Sequence, residues 1–311
     1  MKEPKVAIIL SNYNGASNLY KNKSILYWCL SSLRKTKYSN YKVIIADAHS
    51  TDNSSQLAKK FKAEFIDLGH RGAFSEGNNF GIKYASKKYS PDYFLLLNND
   101  VIISDPYWLS KLVKTAEAYH SGITGCQLLY PNGRIQHAGM LINYYGGINR
   151  GRGEVYKGQY DKIEEMQGVT FAVALINKKV IKQIGLLDEN FHMGFEDVDY
   201  CIRARNAGFK IVYDGSIKLV HLEGFSSTNS KSDKIKEESF YNWQKNFWYL
   251  IHKCRNSQYF KGVNYLKAIA IYFLGAVLTI VGPERERRLK NIRLKDKALR
   301  RIILSLKAIK D

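Results

Sequence analysis

The chain has 311 residues, of which 45% are hydrophobic and 24% charged. That is enough apolar sequence to bury a full core, and it argues against intrinsic disorder. Its 48 Lys and Arg against 28 Asp and Glu leave a formal net charge of +20, so the surface attracts anions, and the charge by itself does not say which. The four cysteines, Cys29, Cys126, Cys201 and Cys254, show neither close pairing nor metal-ligand spacing. They read as buried thiols of a reducing, cytoplasmic compartment rather than a disulfide framework.

In chain order, the apolar run Val6–Leu10 is too short for a signal peptide and reads as a first strand, so no export signal is expected there. A helical pattern follows from Ser24 to Leu33, then a strand Val43–Ala46, a helix Ser54–Phe61 and a strand Tyr93–Leu97. Short apolar runs alternating with amphipathic stretches predict βα units on a parallel sheet, a doubly wound α/β core. Each strand ends in polar residues: Ser11–Asn14, Asp47–Asp52 and Asn98–Asp100. Ligands of open α/β sheets bind at these carboxyl ends, so three separate segments are expected to meet in one crevice. The segment from Tyr130 to Met166, with Arg150-Gly151-Arg152-Gly153, reads as glycine-rich and irregular. It is either a mobile loop whose arginines meet phosphate or a plain surface loop.

After about Ser227 the sequence becomes charged and aromatic, and Lys231–Asp311 carries 19 Lys and Arg against 7 Asp and Glu. The uncharged run from Ala268 to Gly282, extended at most across 263–282, is shorter than or barely equal to the roughly 20 residues of a bilayer span. It reads as interfacial or re-entrant. Leu299, Ile302, Ile303 and Leu306 then recur at helical spacing beside Arg300, Arg301 and Lys307. This is the pattern of a basic amphipathic helix on an anionic membrane surface, or of a helix packed on its own domain with a solvated face.

Three clusters carry chemistry. The strand Leu95–Leu97 stops abruptly at Asn98-Asn99-Asp100, where a carboxylate could hold a hard divalent cation against a diphosphate or simply close a turn. Glu196, Asp197 and Asp199 fall within four residues at the head of an apolar-periodic stretch, as catalytic acids or as helix-dipole partners. His221 follows a short apolar stretch, and a neutral imidazole there could complete a metal site begun by Asp100.

In order and spacing, Val6–Gly15, Asp47 with Ser50-Thr51-Asp52, Gly77-Asn78-Asn79-Phe80-Gly81, Leu97–Asp100, Gly185–Glu189, Phe195–Asp199 and His221 resemble the family-2 glycosyltransferases. The likeness is to their rhamnosyltransferase-like branch in particular, over about residues 4–228. The resemblance implies a GT-A fold over residues 1–228, and the charge and periodicity described above make 229–311 a basic helical, membrane-associating appendage. It also implies a divalent cation (Mg²⁺ or Mn²⁺) and transfer with inversion from a nucleotide-diphosphate sugar, UDP- or dTDP-linked, while the basic tail points to a glycan or lipid-linked saccharide as acceptor. The expected location is peripheral or monotopic on the cytoplasmic face of the membrane.

By the same resemblance, Asn12, Tyr13 and Asn14 line the nucleotide pocket, Asp47 contacts base or ribose, and Asn79 supports the donor site. Asn98 and Asn99 adjoin the nucleotide-sugar, and Asp100 and His221 hold the metal. Asp197 is the general base, Glu196 sets its ionisation or holds the acceptor, and Gln167 and Gly168 form an acceptor-side wall. Such a single displacement needs one carboxylate to take the acceptor proton and a cation for the departing diphosphate, not the paired carboxylates of a hydrolase.

Two positions depart from the family pattern. Asn98 stands where the metal motif usually begins with Asp, and Ala48-His49 follow Asp47 where Asn is common. A catalytically silent membrane scaffold is therefore a competing reading. Nucleic-acid binding is not expected, because the crevice is lined by carboxylates and amides, and the acids would repel phosphate unless a cation intervened.

Overall fold

The computed structural model describes residues 3–143, 146–192, 194–223 and 233–261. The chain divides into two compact units, Met1–Asn229 and Ser230–Asp311. In the first, β1 (Val6–Asn12) is buried along nearly its whole length, as an apolar run without alternation requires when both faces of a sheet are covered. The chain then makes a two-stranded hairpin, β2 (Leu19–Tyr20) and β3 (Lys23–Ser24). It turns through Lys21 and Asn22, both at positive φ, as a two-residue type I′ turn demands. Ser24 caps α1 (Ile25–Leu33), its Oγ accepting the Tyr27 amide at 3.2 Å and so satisfying a helix N–H that has no partner of its own.

Four further elements continue the alternation: β4 (Tyr41–Asp47), α2 (Ser54–Lys60), β5 (Glu64–Asp67) and α3 (Phe74–Tyr89). Two glycines let α3 lie against β1. A Cβ at Gly77 would stand 2.6 Å from Ser11 Oγ, and one at Gly81 would stand 2.5 Å from Ile9 Cγ2. After β6 (Tyr93–Leu97) come β7 (Val101–Ile102), α4 (Trp108–Ala118) and β8 (Ser121–Leu129).

The next stretch departs from the irregular segment expected of it, because it contains four short strands. These are β9 (Ile135–His137), β10 (Met140–Asn143), β11 (Gly146–Asn149) and β12 (Ile163–Glu165). Glycines at positive φ (Gly133, Gly139, Gly146, Gly151, Gly153 and Gly158) interrupt the run. No piece is long enough to show a period of two. Arg150 packs here: Nε donates to Ala138 O at 2.7 Å, Nη1 to Glu164 at 2.8 Å, and the guanidinium lies over the Tyr160 and Tyr213 rings.

The unit closes with β13 (Val173–Asn177), α5 (Lys178–Ile184), α6 (Glu196–Asn206) and β14 (Lys210–His221). The main sheet has ten strands in the order β12-β14-β8-β13-β6-β1-β4-β5, with β7 added on β14 and β9 on β8. β5, β4, β1 and β6 run parallel, as do β8 and β14. Between these blocks β13 runs antiparallel to both β6 and β8. The sheet is thus mostly parallel, as expected. Its core includes Leu10, Leu26, Leu95, Trp108, Leu112 and Leu128, each at most 2% exposed, and burial of each such side chain stabilises the fold by about 1.5–3 kcal/mol.

In the second unit the described residues form α7 (Asp233–Lys253) and a short continuation. Among the described residues no helix is long and apolar enough to cross a membrane. The apolar run 263–282 and the basic stretch 299–307 lie outside the described residues.

Candidate active site

In-register pairing of β1 with β4 sets Asn12 beside Asp47 at the carboxyl edge of the sheet. Both are nearly inaccessible, at 2% and 1% exposure. Asn12 Nδ2 donates to Asp47 Oδ2 at 2.6 Å and to Ser54 Oγ at 3.1 Å, while Asn12 Oδ1 accepts Asn99 Nδ2 at 2.7 Å. Asp47 also accepts the Ser50 amide at 2.6 Å and the Ser50 hydroxyl at 2.7 Å. The three polar strand ends therefore do converge, joined by a closed set of hydrogen bonds. Gly15 has to be glycine here, since a Cβ would run into the side chains of Asn12 and Asn99.

Asn14, at φ 48°, donates its amide to Ser50 Oγ at 2.7 Å, and its Oδ1 accepts the Thr51 amide at 2.9 Å. Tyr13 is 39% exposed, with the Arg71 guanidinium 4.8 Å from its ring centroid. That aromatic and cationic pair is the accessible part of this corner, suited to a base and a phosphate. Asn79 is buried elsewhere: Nδ2 donates to Leu187 O at 2.9 Å and Glu189 Oε1 at 2.8 Å, and Oδ1 accepts the Leu187 amide at 3.0 Å. It pins the Gly185–Glu189 segment to α3.

One strand further along, Asp100 and the end of β14 meet. Asp100 is 4% exposed, and its Oδ1, which no donor satisfies, lies 3.0 Å from His221 Nε2. On the other side of the ring, His221 Nδ1 lies 2.7 Å from Gln136 Oε1. Gln136 Nε2 is itself spent on Glu223 Oε2 at 2.9 Å, so the Gln136 oxygen faces the imidazole and Nδ1 must carry the hydrogen. In the neutral ring, Nε2 then presents a lone pair to a carboxylate oxygen. Two acceptors at that distance call for a positive charge between them, either a metal ion or a second proton. Asn98 Nδ2 is 3.3 Å from the same nitrogen. Among the described residues no group of three or more His, Cys, Asp or Glu could hold a metal. Asp100 and His221 form a pair, a carboxylate oxygen and an imidazole nitrogen, that would supply two ligands to a divalent cation.

The acidic cluster heads α6. Phe195, the residue before it, takes the left-handed conformation at φ 71°. Asp199 is fully buried, and Arg203 Nε donates to it at 2.8 Å while Arg203 Nη1 and Nη2 hold Ile184 O and Leu186 O. Asp199 is thus structural. Asp197 accepts the Val198 amide at 2.8 Å. Burial pushes its carboxyl up to about 6 against the opposing pull of the Val198 and Phe171 amides and the Thr170 hydroxyl. Glu196 is pushed further, to about 8, first by burial and then by the charge of Asp197, and its Oε2 is buried without a partner.

The segment Thr170–Ala172 links the two corners, because Ala172 O accepts the Asn98 amide at 2.9 Å while Thr170 and Phe171 approach Asp197. His137 supports that segment. Its Nδ1 lies 2.8 Å from Asn149 Oδ1, its Nε2 accepts the Thr170 amide at 3.4 Å, and burial draws its pKa down to about 4. Gln167 Oε1 accepts the Ile142 amide, and Gly168 pairs with Met140 through both backbone groups, so both tie this wall to β10.

Gln136, Glu223, His137 and Thr170 were not found by sequence reasoning. Arg152, left open between phosphate and plain loop, contacts Glu223 at 2.9 Å and the Tyr130 hydroxyl at 3.1 Å.

A mostly parallel sheet with helices packed on it in this order is the fold of the GT-A class. In agreement, a mannosyltransferase from Pyrobaculum calidifontis, solved with GDP-Man and Mn²⁺, superposes with a TM-score of 0.54 at 13% identity over 96% of this chain and 88% of its own. TarS 1–349 from S. aureus, solved with UDP-GlcNAc, gives a TM-score of 0.54 at 17% identity over 82% of this chain and 67% of its own. The chain belongs to glycosyl transferase family 2, whose model matches residues 8–185.

The curated relatives agree with the rhamnosyltransferase-like branch. The O-antigen biosynthesis protein RfbC of Myxococcus xanthus is 28% identical over 76% of this chain. The rhamnosyltransferase WbbL of Escherichia coli is 22% identical over 58% of this chain and 73% of its own. The match spans only 18% of the Myxococcus protein, so this chain corresponds to a fraction of that relative.

Proposed function

We propose that this chain is a cation-dependent, inverting glycosyltransferase that moves a sugar from a UDP- or dTDP-linked donor to a glycan or lipid-linked saccharide. The observation that carries this reading is the unsatisfied Asp100 Oδ1 facing His221 Nε2 at 3.0 Å, joined through Thr170–Ala172 to a half-buried Asp197. A cation held by Asp100 and His221 would supply positive charge beside the departing diphosphate. Asp197 orients the acceptor hydroxyl and takes its proton as the hydroxyl oxygen bonds to the anomeric carbon. The bond from that carbon to the diphosphate breaks, and its electron pair leaves with the nucleotide. A base whose pKa is lifted to about 6 is better matched to neutral pH than an ordinary aspartate. Glu196, held protonated beside it, can donate a hydrogen bond to the acceptor. Tyr13 and Arg71 receive the nucleotide over the fixed floor of Asn12, Asp47 and Asn99, and Gln167 and Gly168 border the acceptor.

The relatives' names and the nucleotide-sugars of the solved neighbours support the reaction class. The basic region 229–311 is proposed to rest peripherally on the anionic cytoplasmic face of the membrane, where a lipid-linked acceptor would be met. The test is a thermal-unfolding screen of UDP, dTDP and their sugars with Mn²⁺, Mg²⁺ or chelator. Protection that requires both a nucleotide and a cation is expected. Protection by no nucleotide under any condition would overturn the reading in favour of a silent scaffold.

A further inference from the structure

We infer that Gln136 is a positioning residue that fixes the tautomer of His221 and so aims its Nε2 lone pair at the cation; this rests on the cation site proposed above. A metal-binding histidine is commonly oriented by a partner on its other nitrogen, and loss of that partner weakens metal binding. Here the partner is an amide, which could equally turn its NH₂ to the ring and force the hydrogen onto Nε2, the wrong nitrogen for a metal.

The structure prevents that turn. Gln136 Nε2 is held by Glu223 Oε2 at 2.9 Å, and Glu223 Oε1 by Arg152 Nη2 at 2.9 Å. The same arginine is braced by Tyr130 at 3.1 Å from Nε. Gln136 is 4% exposed, so water does not compete freely for its oxygen, which accepts the Nδ1 hydrogen at 2.7 Å. The chain Tyr130–Arg152–Glu223–Gln136–His221 therefore runs from the Gly151–Gly153 turn to the metal-facing nitrogen through four consecutive hydrogen bonds. This gives Arg152 a role at second hand.

The experiment uses the full chain with Mn²⁺ alone as probe, counting free ion by its electron paramagnetic resonance signal. The ¹⁵N shifts of the His221 ring are read in parallel and assigned by comparison with His221→Gln. In Gln136→Leu, shown to be folded by circular dichroism, Mn²⁺ affinity should fall about 10–100-fold and the Nδ1–H signature should be lost. The exchange Gln136→Glu with Glu223→Gln reverses the hydrogen bond between the two side chains, keeps an acceptor for Nδ1–H and a carbonyl for Arg152, and should recover most of the affinity and the tautomer. A folded Gln136→Leu with unchanged affinity and tautomer would overturn the inference, as would an exchange that recovers neither. A wild-type chain that shows the Nδ1–H tautomer but binds no Mn²⁺ would refute the cation site and leave the tautomer assignment standing, so the two failures are distinguishable.

Discussion

The two corners of the crevice are built on opposite principles. Around Asn12, Asp47 and Asn99 the three side chains share a closed set of hydrogen bonds with Ser50 and Ser54. Around Asp100 and Glu196, buried oxygens have no donor. Since an unsatisfied buried polar group costs about 1–3 kcal/mol, the first corner stabilises the fold and the second is held in place at its expense. Substitutions should therefore separate cleanly, with stability lost in one corner and chemistry in the other.

The largest effect that would sharpen this contrast is Asp197→Asn, expected to slow release of the nucleotide diphosphate by about 10²–10⁴-fold with little change in melting temperature. An active Asp197→Asn enzyme would break the assignment. Asp100→Ala should abolish the Mn²⁺-dependent part of donor protection, about 2.7 kcal/mol at a hundredfold ligand excess over Kd, read as a lost shift in Tm. Asn12→Leu leaves Asp47 and Asn99 with unmet hydrogen bonds and should lower stability by about 1–3 kcal/mol in denaturant melts run without ligand. If it instead left stability intact and removed only nucleotide binding, the contrast between the corners would fail.

The smallest effects concern pH. Asp197 accepts a proton only when ionised, so kcat/KM should fall as the pH drops through about 6. Glu196 holds its proton more tightly folded, at about 8, than at its usual 4.5. The native state is therefore favoured below the lower value, and that contribution fades as pH climbs through the upper one. Tm should decline between pH 5 and 8, and Glu196→Gln should flatten the decline.

How much could be read from the sequence depended on the range of the interactions. Val6–Leu10 and Tyr93–Leu97 are buried throughout, and each run gives way to polar residues at or within two residues of its strand's end, so their polar termini could be placed together without a structure. The head of α6 was legible because three acids sit within one turn. By contrast, Gln136 is 85 residues from His221 and 87 from Glu223. It sits in a strand of three residues whose neighbours give no period. Thr170 and His137 act through hydrogen bonds that only the fold creates. Arg150 reads in the sequence equally as a phosphate contact or as part of a plain surface loop, and only the fold shows it packed on Glu164 and two tyrosine rings.

The reversed strand β13 has a consequence for how such a crevice can change. In an all-parallel sheet only segments leaving a strand reach the ligand edge. Because β13 pairs Val173 with Leu97 at the end of β6, the segment entering it arrives at the same edge, and Thr170–Ala172 comes to stand between Asn98 and Asp197. The excursion from Tyr130 to Glu165 is closed at its far end by the Met166 amide on Ile211 O at 2.9 Å. Doubling the length of a flexible loop costs only about 0.6 kcal/mol. Length can therefore be added at the exposed stretch 157–159 without shifting the register of a catalytic strand, whereas Gln136, His137 and Arg152 on the same excursion are tied to the site and cannot be exchanged with it.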